Sequence, residues 1–241
     1  MRDYKQEFEK RVAFIKDILK ESHADGIVFG NSGGKDCALV GILCKAACEN
    51  TVGIILPCSS KRNYDEDTKD ALSVANKFNI KTETLDVTPI KTALLNELEK
   101  ITTPNNVALT NIAPRLRMTS LYAYAASNNM LVAGTGNRSE VYVGYFTKWG
   151  DGGHDFNPIF DLTVTEVYEF LEYLGAPEII IKKAPSAGLF EGQTDEDDMG
   201  VKYSDIDNYL LYGKGEPEVI EKIESMHRKT EHKRVEIKRY K

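Results

Sequence analysis

The sequence predicts an α/β protein: a doubly wound parallel sheet flanked by helices. Three observations lead there. Short strand-like runs at 26–29, 51–57, 81–87 and 130–133 alternate with segments of helical period, the order that gives parallel strands joined by right-handed crossovers. Two of those runs, Gly-Ile-Val-Phe at 26–29 and Thr-Val-Gly-Ile-Ile-Leu-Pro at 51–57, are almost continuously apolar, as strands covered on both faces must be. The first run then passes through a Ser/Gly-rich turn straight into a helix. At 241 residues, 41% of them hydrophobic, the chain has enough material for one domain with its own core, and residues 1–241 are read as that single domain.

Residues 3–22 place Phe8, Val12, Ile15, Ile18 and Leu19 at helical spacing, an amphipathic helix leading into the first strand. After the turn, 38–48 continues as a helix with an apolar face. Cys37, Cys44 and Cys48 share one side of it and match no zinc-ligand pattern, so they read as core-filling thiols. Residues 65–78 and 88–100 read as helices on either side of the 81–87 strand. Residues 111–128 form a long helix despite Pro114, with Leu116, Leu121, Tyr122 and Ala125 on one face. The strand order is expected to reverse beside the first strand. That places ligands at the carboxyl ends of the strands, with further contacts from the turn after Ala133. Beyond Gly134 the chain becomes more polar: a turn at 134–140, a glycine-rich loop at 147–155, a helix at 165–174 and two closing helices at 204–211 and 216–229. The stretch 184–198 offers few residues to a core, and 187–198 is expected to be a mobile lid.

A formal charge of −6 argues against a non-specific nucleic-acid binder. No apolar run approaches the roughly 20 residues of a membrane span, and the start, Met-Arg-Asp-Tyr-Lys-Gln-Glu, has no signal-peptide apolar region. Neither a membrane nor nucleic acid is expected as a partner, and the expected location is cytoplasmic. The four cysteines fit a reducing compartment. The histidines at 23, 154, 227 and 232 show no metal-ligand spacing.

The chemistry begins in the turn Gly30-Asn31-Ser32-Gly33-Gly34-Lys35-Asp36-Cys37. Between a strand and a helix, such a turn aims backbone N–H groups and the positive end of the helix dipole at one place, which suits phosphate. It is not a Walker A loop: Phe29 stands at the first glycine position and Asp36 where Ser or Thr must follow the lysine. Nor is it the dinucleotide fingerprint, because Ser32 replaces the second glycine. The same position places Cys37 at a helix N-terminus beside Lys35, where a lowered thiol pKa is expected.

Ser-Gly-Gly-Lys-Asp resembles the pyrophosphate loop of the ATP pyrophosphatases, of the adenine nucleotide alpha hydrolase-like fold, which cleave ATP between its α and β phosphates. Five further segments, at 111–118, 134–140, 144–153, 185–197 and 229–234, resemble ammonia-dependent NAD synthetase in the family's own order. The resemblance implies amidation of deamido-NAD by ammonia, with ATP as co-substrate and Mg²⁺ as cofactor, through an acyl-adenylate, in a homodimer. It assigns Gly30 to Cys37, Thr135 and Ser186 to ATP. Arg115, Lys148, Asp155, His232 and Lys233 fall to deamido-NAD, Asp36 and Glu140 to the metal, and Asp36, Glu140 and Lys148 to catalysis. By residue type alone Asp36 reads equally as a helix cap and Glu140 as a solvated helix residue; Arg115 is open to reading as an exposed helical arginine, and His232 with Lys233 as a basic tail. Two positions depart from the family: Cys37 replaces a serine, and Val164 stands where bacterial members tend to carry an ATP-contacting lysine, so that contact is not carried over.

Two other functions stay open at this level. Another ATP pyrophosphatase that modifies tRNA would share the loop, but would be expected to show a basic face. A non-catalytic nucleotide-binding regulator would keep the fold without needing Asp36 and Glu140.

Overall fold

The computed structural model describes residues 2–60, 64–183 and 194–240. Four parallel strands, β1 (Gly26–Gly30), β2 (Thr51–Ile55), β3 (Lys81–Thr84) and β4 (Met130–Val132), form one sheet in the order β3-β2-β1-β4. The order reverses between β1 and β4, as the sequence predicts, so a crevice opens above the carboxyl end of β1. Burial follows position: β1 and β2 are covered on both faces, while edge strand β3 is largely exposed and correspondingly polar.

The pleat of β1 divides the core. Ile27 and Phe29 pack with Leu39, Leu43 and Phe170 on one face; Val28 packs with Ile54, Leu121 and Val132 on the other. The first face is covered by α1 (Tyr4–Ser22), α2 (Lys35–Ala47) and α7 (Val164–Tyr173). The second is covered by α5 (Asn106–Ser127). Helices α3 (Glu66–Lys77) and α4 (Thr88–Leu98) are the crossovers flanking β3. Asp3 caps α1, accepting the N–H groups of Lys5 and Gln6 at 3.1 and 3.2 Å. Arg11 then ties α1 to the turn before α7 through Asp161 at 2.6 and 2.9 Å.

Several elements depart from the expectation. Helix α5 begins at Asn106 rather than 111, because the Asn105 side chain accepts the Ala108 N–H at 2.9 Å and caps an earlier turn. The 134–140 turn runs into a short helix, α6 (Arg138–Val143), closed by a reciprocal cap between Asn137 and Glu140. Further short helices, α8 (Glu178–Ile181) and α9 (Asp195–Met199), lie where only connection was expected. Of the expected lid 187–198, residues 187–193 lie outside the described residues; at 194–198, Thr194 caps α9, whose Asp195 and Met199 are buried. Finally α10 (Tyr203–Tyr212) and α11 (Pro217–Lys229) pack on α6 through Val143, Val201, Ile206 and Ile223.

Candidate active site

The turn after β1 is held from beneath. Asn31 is buried; its amide donates to the Ala71 carbonyl at 3.4 Å and its oxygen accepts the Gly33 N–H at 3.4 Å. Gly33 has φ +72°, and a Cβ there would lie 2.3 Å from the Asp67 carbonyl oxygen of α3. Only glycine fits, in conformation and in space. Gly34 is the N-cap of α2 and offers no side-chain cap, and the N–H groups of a first helical turn are the kind that suit an anion.

At the start of α2 three charges meet. The Lys35 ammonium lies 2.7 Å from Asp36 Oδ2 and 3.4 Å from Glu140 Oε1, with only 6% of the lysine side chain exposed. The Asn137 amide donates to Asp36 Oδ1 at 3.0 Å while its oxygen accepts the Glu140 N–H at 3.0 Å. One asparagine therefore caps α6 and aligns both carboxylates. Burial alone would lower the Lys35 pKa, but the carboxylates of Asp36 and Glu140 outweigh it and hold the ammonium charged. Glu140 is pushed well above the usual carboxylate range, first by burial and then by the negative charge of Asp36, against the pull of Lys35; Asp195 on α9 adds to it. The cluster has more carboxyl groups than its single lysine can pair, and its oxygen donors suit a hard cation.

The deamido-NAD residues implied by the resemblance gather at the other end of α6. Gly144, its C-cap with φ +74°, lies so close to Thr230 that a Cβ would sit 2.2 Å from the threonine Cβ. That approach docks the chain end. Lys233 donates to the Gly144 and Phe146 carbonyls at 2.7 and 2.6 Å, and Lys148 donates to the His232 carbonyl at 2.5 Å. Arg115 reaches the Lys148 carbonyl at 3.3 Å. So Arg115, Lys148, His232 and Lys233 are brought together, and the chain end is folded back rather than free at these positions. Asp155 sits apart, accepting the Val132 N–H at 2.7 Å and the Tyr122 hydroxyl at 3.1 Å. Thr135 stands in the turn after β4, within reach of Cys37. Ser186 lies outside the described residues.

One sequence expectation is corrected, and one stands as it was read. Burial pushes the Cys37 thiol up, not down, and outweighs the contact with Ser32 Oγ at 3.1 Å. Val164, at the start of α7, is buried among Val143, Val201 and Ile206, an apolar place in which a lysine would lack partners. Other site residues went unread. Asn137 was legible as the first residue of an Asn-x-x-Glu capping signature. Asp195 lies in the 185–197 segment but was not singled out, and Tyr203, whose ring lies 5.5 Å from the Lys35 ammonium, carries no local signal, because only the packing of α10 brings it in.

Comparison with known proteins agrees with this geometry. The NAD synthase family model matches residues 7–236. NH3-dependent NAD+ synthetase of Carboxydothermus hydrogenoformans is 50% identical over 235 residues, 96% of each chain. That of Archaeoglobus fulgidus is 40% identical over 238 residues, covering 96% of this chain and 95% of its own. Among solved structures, NMN synthetase from Francisella tularensis superposes with a TM-score of 0.93 at 37% identity, covering 100% of this chain and 99% of its own. NH3-dependent NAD synthetase from Campylobacter jejuni gives 0.81 at 32% identity over the whole of both chains. The matched stretch takes in the phosphate turn, the Lys35–Asp36–Glu140 cluster and the docked chain end alike, and the chain belongs to the NAD synthase family.

Proposed function

We propose that this chain is an ammonia-dependent NAD synthetase. It joins ammonia to the nicotinate carboxylate of deamido-NAD using ATP, and releases NAD, AMP and diphosphate. The observation that carries this reading is the meeting of Lys35, Asp36 and Glu140 at the start of α2. It supplies what a departing diphosphate requires: helix N–H groups, a fixed cation and carboxylates suited to a metal.

In this reading residues 30–37 bind the ATP phosphates, assisted by Thr135 and Ser186. Arg115, Asp155, His232 and Lys233 hold deamido-NAD, with Lys148 adding positive charge beside the substrate. A nicotinate carboxylate oxygen attacks the α-phosphorus and the α–β bond breaks. Lys35 and the loop N–H groups meet the charge that builds on the diphosphate. Ammonia then attacks the acyl-adenylate carbonyl carbon, AMP leaves, and the nitrogen gives up a proton. Asp36 and Glu140 fit Mg²⁺, which takes one or two carboxylates and completes its shell with phosphate and water; bound there, it would neutralise phosphate charge.

Ammonia is the expected nitrogen source: a glutaminase needs an accessible, activated nucleophile, Cys37, Cys44 and Cys58 are buried, and half-buried Cys48 caps the C-terminus of α2, away from the positive end of its dipole. The four free thiols support a cytoplasmic setting. No helix among the described residues is long and apolar enough to cross a membrane. The decisive experiment supplies purified protein with ATP, Mg²⁺, deamido-NAD and either ammonium or glutamine. Equal amounts of NAD and AMP with ammonium alone are expected; AMP formation without NAD would reject the reading.

The likeness to the NMN synthetase of Francisella tularensis favours one second reading, with nicotinate mononucleotide as acceptor. Comparing kcat/KM for the mononucleotide and for deamido-NAD separates the two. We expect deamido-NAD to be preferred, and a preference for the mononucleotide would select the second.

A further inference from the structure

Lys183 follows α8 and reaches back to the underside of the phosphate turn. Its backbone carbonyl accepts the Tyr168 hydroxyl at 2.8 Å. Its ammonium lies 2.8 Å from Asp67 Oδ1, 2.5 Å from Asp70 Oδ2 and 3.4 Å from the Gly33 carbonyl oxygen. The three side chains are 17%, 13% and 7% exposed. A charge group so withdrawn from water has little net effect on stability when intact, and disrupts strongly when one partner is removed. Its position, rather than its strength, is the informative feature.

Asp67 and Asp70 belong to α3, whose Asp67 carbonyl presses on Gly33 and whose Ala71 carbonyl receives Asn31. Lys183 thus bonds to both the turn and the helix that supports it. In a trans peptide the C=O and the following N–H point in opposite directions. A cation that draws the Gly33 carbonyl one way turns the Gly34 N–H the other. Gly34 is the N-cap of α2, where N–H groups suit an anion.

We propose that Lys183 is a positioning residue for the phosphate subsite: anchored by Asp67 and Asp70, it fixes the Gly33–Gly34 peptide so that the turn presents its N–H groups to diphosphate. This rests on residues 30–37 being the ATP phosphate site. In this role Lys183 acts through the peptide rather than as a substrate contact.

The test compares Lys183→Met, Lys183→Arg and the double variant Lys183→Met with Asp70→Asn. The double variant keeps the net charge of the group unchanged while removing the cation from Gly33, so it guards against a single variant that fails to fold. Binding of inorganic diphosphate is read by calorimetry, together with KM for ATP and for deamido-NAD and the melting temperature. Losing one charged hydrogen bond to the turn is expected to weaken diphosphate binding and raise the ATP KM about tenfold in the Met and double variants. Arginine should restore most of that loss, and the deamido-NAD KM should stay unchanged. Diphosphate that binds wild type and all variants alike would overturn the proposal alone. So would a rise in both KM values that follows the loss in melting temperature, since that is what a merely structural role predicts. Diphosphate that fails to bind wild type would overturn the phosphate site and the proposal with it.

Discussion

At the residue scale, Glu140 is the most exposed to test. Replacing it with glutamine keeps its size and an oxygen for the Asn137 N–H, but removes the charge. Losing one electrostatic contact of this kind typically lowers the rate about 10²–10³-fold, and kcat for NAD formation reads it directly. The ligand-free protein should respond in the opposite sense. Burial, then Asp36, hold the Glu140 carboxyl above its ordinary value of 4.5, so the folded state binds that proton more tightly than the unfolded state. Stability is therefore lost as pH rises through the range above 4.5. Glu140→Gln should melt higher than wild type near neutral pH, and the difference should vanish in acid; melting curves of both proteins across pH check it. A second residue reverses a sequence expectation. Cys37 is buried and its thiol is raised by that burial, so it should alkylate more slowly in the native protein than half-buried Cys48. Mass spectrometry of timed labelling decides this, and faster labelling of Cys37 would restore the activated-thiol reading. The phosphate turn was legible because its residues are contiguous and each type has a local task. The tilt of the Cys37 environment toward burial was not, since it depends on helices that pack from elsewhere.

At the scale of elements, α6 joins the two halves of the site: its first turn aligns Glu140 and its C-cap receives the chain end. Gly144→Ala tests the second function. A methyl group there would meet Thr230 at 2.2 Å in a left-handed backbone conformation, an overpacking that typically destabilises by about 1–3 kcal/mol. The chain end carrying His232 and Lys233 should shift. We expect the KM for deamido-NAD to rise severalfold while the KM for ATP holds, because the phosphate turn lies at the other end of α6. Equal change in both would place the two ends in one unit. Asn137→Ala tests the first function: it removes a cap, typically about 1 kcal/mol, and also the hydrogen bond to Asp36. Activity should fall more than stability does, as judged by kcat beside a denaturant titration. The long helices and inner strands were readable in the sequence because period and burial coincide there. The helix α6 was missed since six residues are too few for a period, and its capping signature was the only local sign. The helix α9 was hidden in an acidic stretch that becomes structured by packing Met199 and Asp195 inward.

At the scale of the whole molecule, the reversal of strand order beside β1 follows from rules of connection and was legible. Helix α4 carries Ile90, Leu94 and Leu98, yet buries no residue at all. Beside it Val107 of α5 is 70% exposed, and Ile101 in the link between them is 82% exposed. An apolar face of that extent on a folded chain marks an interaction surface, and we propose that a second copy covers it in a homodimer. The sequence shows 88–100 as a helix without singling out this face; the apolar face it does single out, on 111–128, turns Leu121 and Ala125 into the core. Ile90→Asp combined with Leu94→Asp would bury two unpaired charges at such an interface, which no close packing tolerates. In the free chain both positions are already exposed, so the monomer should fold normally. Wild type is expected to sediment as a dimer at micromolar concentration and the double variant as a monomer with an unchanged far-ultraviolet spectrum. Wild type that sediments at 27.0 kDa throughout that range would leave the α4–α5 face without a second copy, and the dimer proposal would fall.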